Sequence, residues 1–193
     1  MYWETYVNLS ENNLKIATEY FLGNLEPFHS KDKDFQNLFL TYATDVNSST
    51  LRELCTLNYL GYKPFNQKHG ADGIDESTNR FKEVKPKQIE TGKISYSGCF
   101  NDLTLELLDK KKEYDVVCSL FFQSQFVYIV EFPISVIYEH IRKPIVKAKQ
   151  GKRVVSMFTY CNYDSDELKV HYLNKNLLHS LSEKHAKMLL SRI

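Results

Sequence analysis

Apolar side chains recur at helical spacing through the first third of the chain. Between residues 13 and 22, Leu14, Ala17, Tyr20 and Phe21 fall on one face and Gly23 follows as a stop, which predicts a helix. Phe35, Leu38, Phe39, Tyr42, Ala43 and Val46 repeat the pattern and predict a second helix over 35–46. Ser48-Ser49-Thr50 then supplies an N-cap. Leu51, Leu54, Cys55, Leu57 and Leu60 make the buried stripe of a third helix, which ends at Gly61.

From residue 62 the period shortens. A brief strand is expected over 62–65, a turn at Ser77-Thr78-Asn79, and an alternating strand through Phe81-Lys82-Glu83-Val84-Lys85. Residues 115–122 and 126–132 are rich in β-branched and aromatic side chains and predict a hairpin across Gln123-Ser124-Gln125. Residues 134–149 predict a helix kinked or divided at Pro144. Two more strands are expected over 152–160 and 168–173, and a last helix over 181–190. The order predicts an α/β fold: a single domain with a central mixed β-sheet flanked by helices and a helical N-terminal part. At 193 residues and 42% hydrophobic content, the chain suits one domain with a substantial core.

The chemistry concentrates in Gly70-Ala71-Asp72-Gly73-Ile74-Asp75 and the following Phe81-Lys82-Glu83-Val84-Lys85-Pro86. In a strand, Glu83 and Lys85 point to one face while Val84 points to the other and into a core. With Asp72 ahead of the turn, two carboxylates and one ammonium come side by side, the minimum set for metal-assisted phosphodiester hydrolysis. Oxygen donors of this kind suit Mg²⁺ or Mn²⁺, which keep waters and phosphate in their remaining positions. The same residues also admit a plainer reading, in which 72–75 is an exposed turn and 81–85 an edge strand with solvated charges.

In these residues the chain resembles the PD-(D/E)xK nuclease superfamily, which includes restriction endonucleases, junction resolvases and repair nucleases. Asp72 stands where the family has its Asp, Glu83 and Lys85 match its (D/E)xK, and Ala71 replaces its Pro; the resemblance covers residues 48–90. It implies a restriction-endonuclease-like core and a Mg²⁺-dependent DNA endonuclease, most like a small type II restriction enzyme cutting a specific duplex sequence. Asp72 and Glu83, with the Val84 carbonyl, would then hold the metal. Lys85 would orient or help deprotonate the attacking water and stabilise transition-state charge. Asp75 is the rival to Asp72, although its carboxylate is close enough to the turn to cap it. Relatives often contribute an acidic residue from the helix equivalent to the third one here, which makes Glu53 a secondary candidate; its other reading is a charge near a helix N-terminus. A structure-specific or phage-type nuclease of the junction-resolvase kind and a non-catalytic DNA-binding module both remain open.

The formal net charge of +1 makes distribution matter more than total for phosphate binding. Lys82, Lys85, Lys87 and Lys93 crowd the Glu-x-Lys strand and its exit, whereas Lys110-Lys111-Lys112 reads as solvated surface. The stretch 142–153 carries Arg142, Lys143, Lys147, Lys149, Lys152 and Arg153 with no acidic residue, and is the expected phosphate-contacting surface. Residues 94–103 are expected to be a polar loop. Its Ser95, Tyr96, Ser97 and Asn101 are candidates for base contacts, since Asn and Ser read base edges and Tyr packs on unstacked bases.

Cys55, Cys99, Cys118 and Cys161 form no C-x-x-C pair, so they read as reduced and mostly buried thiols, and His69 is more readily a loop residue than a metal ligand. No stretch approaches the roughly 18 apolar residues of a membrane span, and the N-terminus has no signal-peptide pattern, so a cytoplasmic protein is expected. Double-strand cleavage of a palindrome would favour a homodimer on double-stranded DNA.

Overall fold

The computed structural model describes residues 10–47, 49–65, 70–148 and 154–193. The N-terminal helices form where the apolar spacing predicts them. Helix α1 (Glu11–Phe21) begins at Ser10, whose hydroxyl accepts from the Asn13 N–H. A single turn, α2 (Glu26–His29), follows; it is too short to leave a periodic signal. Helix α3 (Lys33–Thr44) is capped by the Asp32 carboxylate, and α4 (Thr50–Leu60) ends at Gly61, whose φ of 72° is the left-handed cap that glycine adopts without a Cβ clash.

Next come β1 (Lys63–Pro64), β2 (Gly73–Asp75), β3 (Arg80–Ile89), β4 (Gly98–Leu103), α5 (Leu105–Lys110), β5 (Asp115–Phe122) and β6 (Gln125–Pro133). The chain closes with α6 (Tyr138–Lys147), β7 (Val154–Phe158), β8 (Lys169–Leu173) and α7 (Glu183–Leu190). Six strands form one sheet in the order β1-β2-β3-β5-β6-β8. Its β3–β5 pair is parallel and the others are antiparallel, so the sheet is mixed.

Two sequence expectations are corrected. The segment 94–103 is not a loop throughout, because Gly98–Leu103 forms β4, paired antiparallel with β7. The helix expected over 134–149 begins later, α6 following a separate 3-10 turn at Ile134–Val136, and of the kink or division expected at Pro144 the division does not occur, because α6 continues through it. Lys149, Lys152 and Arg153 lie outside the described residues, as does His69.

The sheet carries a core on each face. On one, Phe21, Phe39, Leu51 and Leu57 from the N-terminal helices pack over Val84, Val117, Phe121 and Ile129. On the other, Val116, Cys118, Val130 and Phe132 lie beneath Phe100, Leu108, Ile141 and Phe158. Strands β5 and β6 are buried on both faces, which is why they read as near-continuous apolar runs. Cys55, Cys118 and Cys161 are buried, Cys99 is half-buried, and all are free thiols. Among the described residues no helix is long and apolar enough to cross a membrane.

Where β3 and β5 begin, a buried ion network closes the helical face. Lys82, only 2% exposed, donates to Asp115 at 2.8 Å and to Glu131 at 2.5 Å. Arg80 forks onto Asp115, and Tyr62 and His171 both meet the second Glu131 oxygen, at 2.8 and 2.7 Å. Burial opposes ionisation of Glu131, yet His171, Lys82 and Tyr62 outweigh it and hold its pKa at about 2.

Removing one member of such a network strands the others, at a cost of about 3–5 kcal/mol. Lys82→Met is therefore expected to lose stability of that order in urea titrations, and adding Glu131→Gln is expected to restore part of it. A Lys82→Met protein as stable as wild type would show that the network contributes nothing. Because the Glu131 pKa is depressed, its contribution is present above pH ~4.5 and is lost as pH falls toward about 2.

Candidate active site

Strand β3 is paired to β5 along its length but to β2 only across Arg80, Phe81 and Lys82. Among the described residues no strand pairs with its other edge beyond Lys82, and the even-numbered backbone groups face that way. The Lys82 carbonyl accepts from Asp72 N–H at 2.9 Å, and the Val84 N–H donates to Asp72 Oδ2 at 2.6 Å. Since the N–H and C=O of one strand residue point to the same side, the Val84 carbonyl opens beside Asp72. Pro86, the next residue facing this edge, has no N–H to leave unpaired.

The odd-numbered side chains carry the charges. Lys85 Nζ donates to Glu83 Oε1 at 2.5 Å, and Lys111 donates to Glu83 Oε2. Lys85 also lies 4.8 Å from the centroid of the Phe100 ring on β4. That approach depends on Gly98, where a Cβ would stand 2.5 Å from Phe158 and 3.0 Å from Lys85 Cβ.

Glu53 arrives from the first turn of α4. That helix is fastened to the sheet by Arg52, which donates to Gln88 at 3.2 Å, and by Thr56, which donates to Ser119 at 2.8 Å. Glu53, Lys85, Lys87, Tyr96 and Asn101 line one cleft of about 310 Å³, a volume at the lower end of the range for ligand sites.

The acids here perturb one another. Burial first, then the Glu83 and Glu53 charges, raise the Asp72 pKa from its ordinary 3.8 to about 7 against the pull of Lys85 and the Val84 N–H. Burial likewise raises Glu53. For Glu83 burial is outweighed by Lys85 and Lys111, which hold its pKa below the ordinary value. Burial also opposes the Lys85 ammonium, but Glu83, Asp72 and Glu53 raise its pKa above the usual one. So held, Lys85 is a firm cation and a poor base, which favours an electrostatic role over proton abstraction.

The donor set fits a hard divalent cation: carboxylate oxygens from Asp72 and Glu83, a backbone carbonyl at Val84, and Glu53 near enough to be felt. These groups are not preassembled as a cage. Among the described residues no group of three or more His, Cys, Asp and Glu side chains is arranged to hold a metal ion.

Asp75 stands apart from this cluster. Its carboxylate accepts from Ser77 and Thr78 in the turn, contacts that bring its pKa to about 2, and it lines a separate cleft with Lys82 and Arg80. Lys82 cannot reach DNA, being buried against carboxylates.

Of the proposed base readers, Tyr96 lies under the Lys87 ammonium at 3.1 Å, and Asn101 is exposed on β4. Ser97 borders the cleft but is buried: its hydroxyl accepts from the Tyr160 N–H and sits 3.4 Å from His185, so it is engaged within the protein and not presented to a base. Ser95 and Lys93 are exposed outside the cleft lining, as are Arg142 and Lys147 on α6. Lys111 was not expected in the site. The Lys110-Lys111-Lys112 run reads as surface, and Lys110 and Lys112 do pair with exposed carboxylates, whereas the Lys111 side chain is 16% exposed and reaches Glu83. The chain matches no family model and no curated protein sequence.

The raised pKa of Asp72 makes a stability prediction. Below pH ~4 the group is protonated folded and unfolded; as pH rises toward 7 the unfolded chain ionises first, so the folded state loses stability. Asp72→Asn, which still offers an oxygen to Val84, is therefore expected to melt with wild type near pH 4. At pH 7.5 in EDTA it is expected to be more stable by about 1–4 kcal/mol. A variant that melts below wild type at pH 7.5 would show that the carboxylate is not strained by burial.

Proposed function

We propose that this chain is a Mg²⁺-dependent DNA endonuclease that hydrolyses phosphodiester bonds. The observation that carries this reading is the convergence of Asp72, Glu83, Lys85 and Glu53, from the segment before β2, from β3 and from α4, with Lys85 and Glu53 lining the cleft and Asp72 and Glu83 bonded to its Val84 and Lys85. Asp72, Glu83 and the Val84 carbonyl would hold the ion, with Mn²⁺ an acceptable substitute. The ion supplies charge against the phosphate and acidifies water.

The chain's own groups do the rest. The Lys85 ammonium faces the charge that develops on the attacked phosphate and is fixed in place by Glu83 and the Phe100 ring. Glu53 offers a further carboxylate in the cleft lining. Lys87, Tyr96 and Asn101 flank the bound strand, offering a cation, a stacking ring and an amide. Arg142 and Lys147 on α6, together with Lys149, contact phosphates without reading sequence. Cleavage of both strands at a symmetric site calls for two copies related by a two-fold axis.

Purified protein incubated with plasmid and phage DNA plus Mg²⁺ tests the reading. Discrete bands are expected from a sequence-specific enzyme of the restriction type, a smear from an unspecific one, and intact DNA under all conditions would overturn the proposal. Lys85→Ala is expected to lose about 10²-fold or more in rate while the gel shift of DNA is retained. A variant that keeps more than a tenth of wild-type rate would remove Lys85 from its role.

A further inference from the structure

Two ammonium groups share one carboxylate. Lys85 takes Oε1 of Glu83 and Lys111 takes Oε2, and Lys111 also lies 3.4 Å from the carbonyl of Gly70, two residues before Asp72. Lys111 thus spans the two segments that bring the carboxylates together. It comes from the residue after α5, and its ammonium stands 4.8 Å from the Tyr114 ring centroid.

The Glu83 side chain is only 9% exposed, so its charge needs compensation at all times. A divalent cation on Oε2 and an ammonium on the same oxygen would repel each other at contact distance in a poorly screened site. Each ammonium holds one Glu83 oxygen and stands 4.8 Å from a ring, Lys85 from Phe100 and Lys111 from Tyr114. They differ in anchorage: Lys85 projects from the same strand as Glu83 and also feels Asp72 and Glu53, whereas Lys111 reaches in from the turn after α5, so Lys111 is the cation placed to yield.

We propose that Lys111 is a positioning residue that competes with the divalent cation for Glu83. Its ammonium keeps the buried carboxylate neutralised and aimed, and it leaves Oε2 when the ion binds. The inference rests on the reading of Asp72 and Glu83 as metal ligands. It assigns to Lys111 a role that Lys110 and Lys112, paired with exposed carboxylates, cannot share.

The test is Mn²⁺ binding to the DNA-free protein, followed by the electron paramagnetic resonance signal of free Mn²⁺, for wild type, Lys111→Met, Lys111→Gln and Glu83→Gln. Both Lys111 variants are expected to bind Mn²⁺ at least about fivefold more tightly than wild type, because a competing charge-assisted bond is gone. In EDTA they are expected to melt below wild type and to gain more from added Mn²⁺. If wild type binds Mn²⁺, Glu83→Gln weakens it and both Lys111 variants bind no more tightly than wild type, the competition is overturned while the metal site stands. If wild type binds no Mn²⁺, the metal site itself fails and the competition with it. Should Lys111→Met prove unfolded by circular dichroism, Lys111→Gln, which keeps an uncharged hydrogen-bond donor on a side chain one bond shorter, decides.

Discussion

Parallel pairing of β3 with β5 cannot be made by a tight turn; it requires a crossover that returns the chain to the end where β3 began. Residues 90–114 make that crossing, and they carry β4 and α5 with them. On the way out, β4 is laid across Lys85, with Gly98 at the point of closest approach. On the way back, the residue after α5 arrives beside Glu83, because two parallel strands start at the same end. The same register sets Lys82 opposite Asp115. One pairing therefore positions the roof of the cleft, the second cation on Glu83 and the buried ion network.

Adjacent residues of β3 meet opposite circumstances. Lys82 turns to the helical face, where Asp115 and Glu131 each have further donors in Arg80, Tyr62 and His171, so the charges there are paired within the protein. Glu83 turns to the other face, where Asp72 and Glu53 lie close by and the Asp72 pKa is raised to about 7. The first arrangement is complete without any further partner. Under the proposed reading the second is balanced in part by Lys85 and Lys111 and in full only with a divalent cation.

Much of this was legible in the chain because it depends on local periodicity. Helices α1, α3 and α4 follow their apolar stripes, β5 and β6 their β-branched and aromatic runs, and the side-by-side placement of Glu83 and Lys85 follows from the two-residue repeat of a strand. The approach of Asp72 needed only a short turn. What was not legible depends on contacts distant in sequence. Strand β4 looks like a loop by composition, since Ser, Gly, Asn and Asp favour turns, and its partner β7 lies more than fifty residues on; its irregular pairing between Phe100 and Leu103 accommodates Asp102 at φ 55°. Lys111 is indistinguishable from its lysine neighbours until the parallel register is known. Ser97 looked available because nothing local announces Tyr160 or His185.

Strand β3 past Lys82 has a further consequence through its missing neighbour. An unpaired strand edge ordinarily invites a strand from another molecule, the route to edge-to-edge aggregation. Here Asp72 occupies the Val84 donor and Pro86 offers none, so an incoming strand would find no consecutive N–H groups to pair with. The edge keeps carbonyls for a ligand but lacks the run of donors that a pairing strand needs, so the cleft beside it is a weaker template for edge-to-edge pairing than an ordinary unpaired strand.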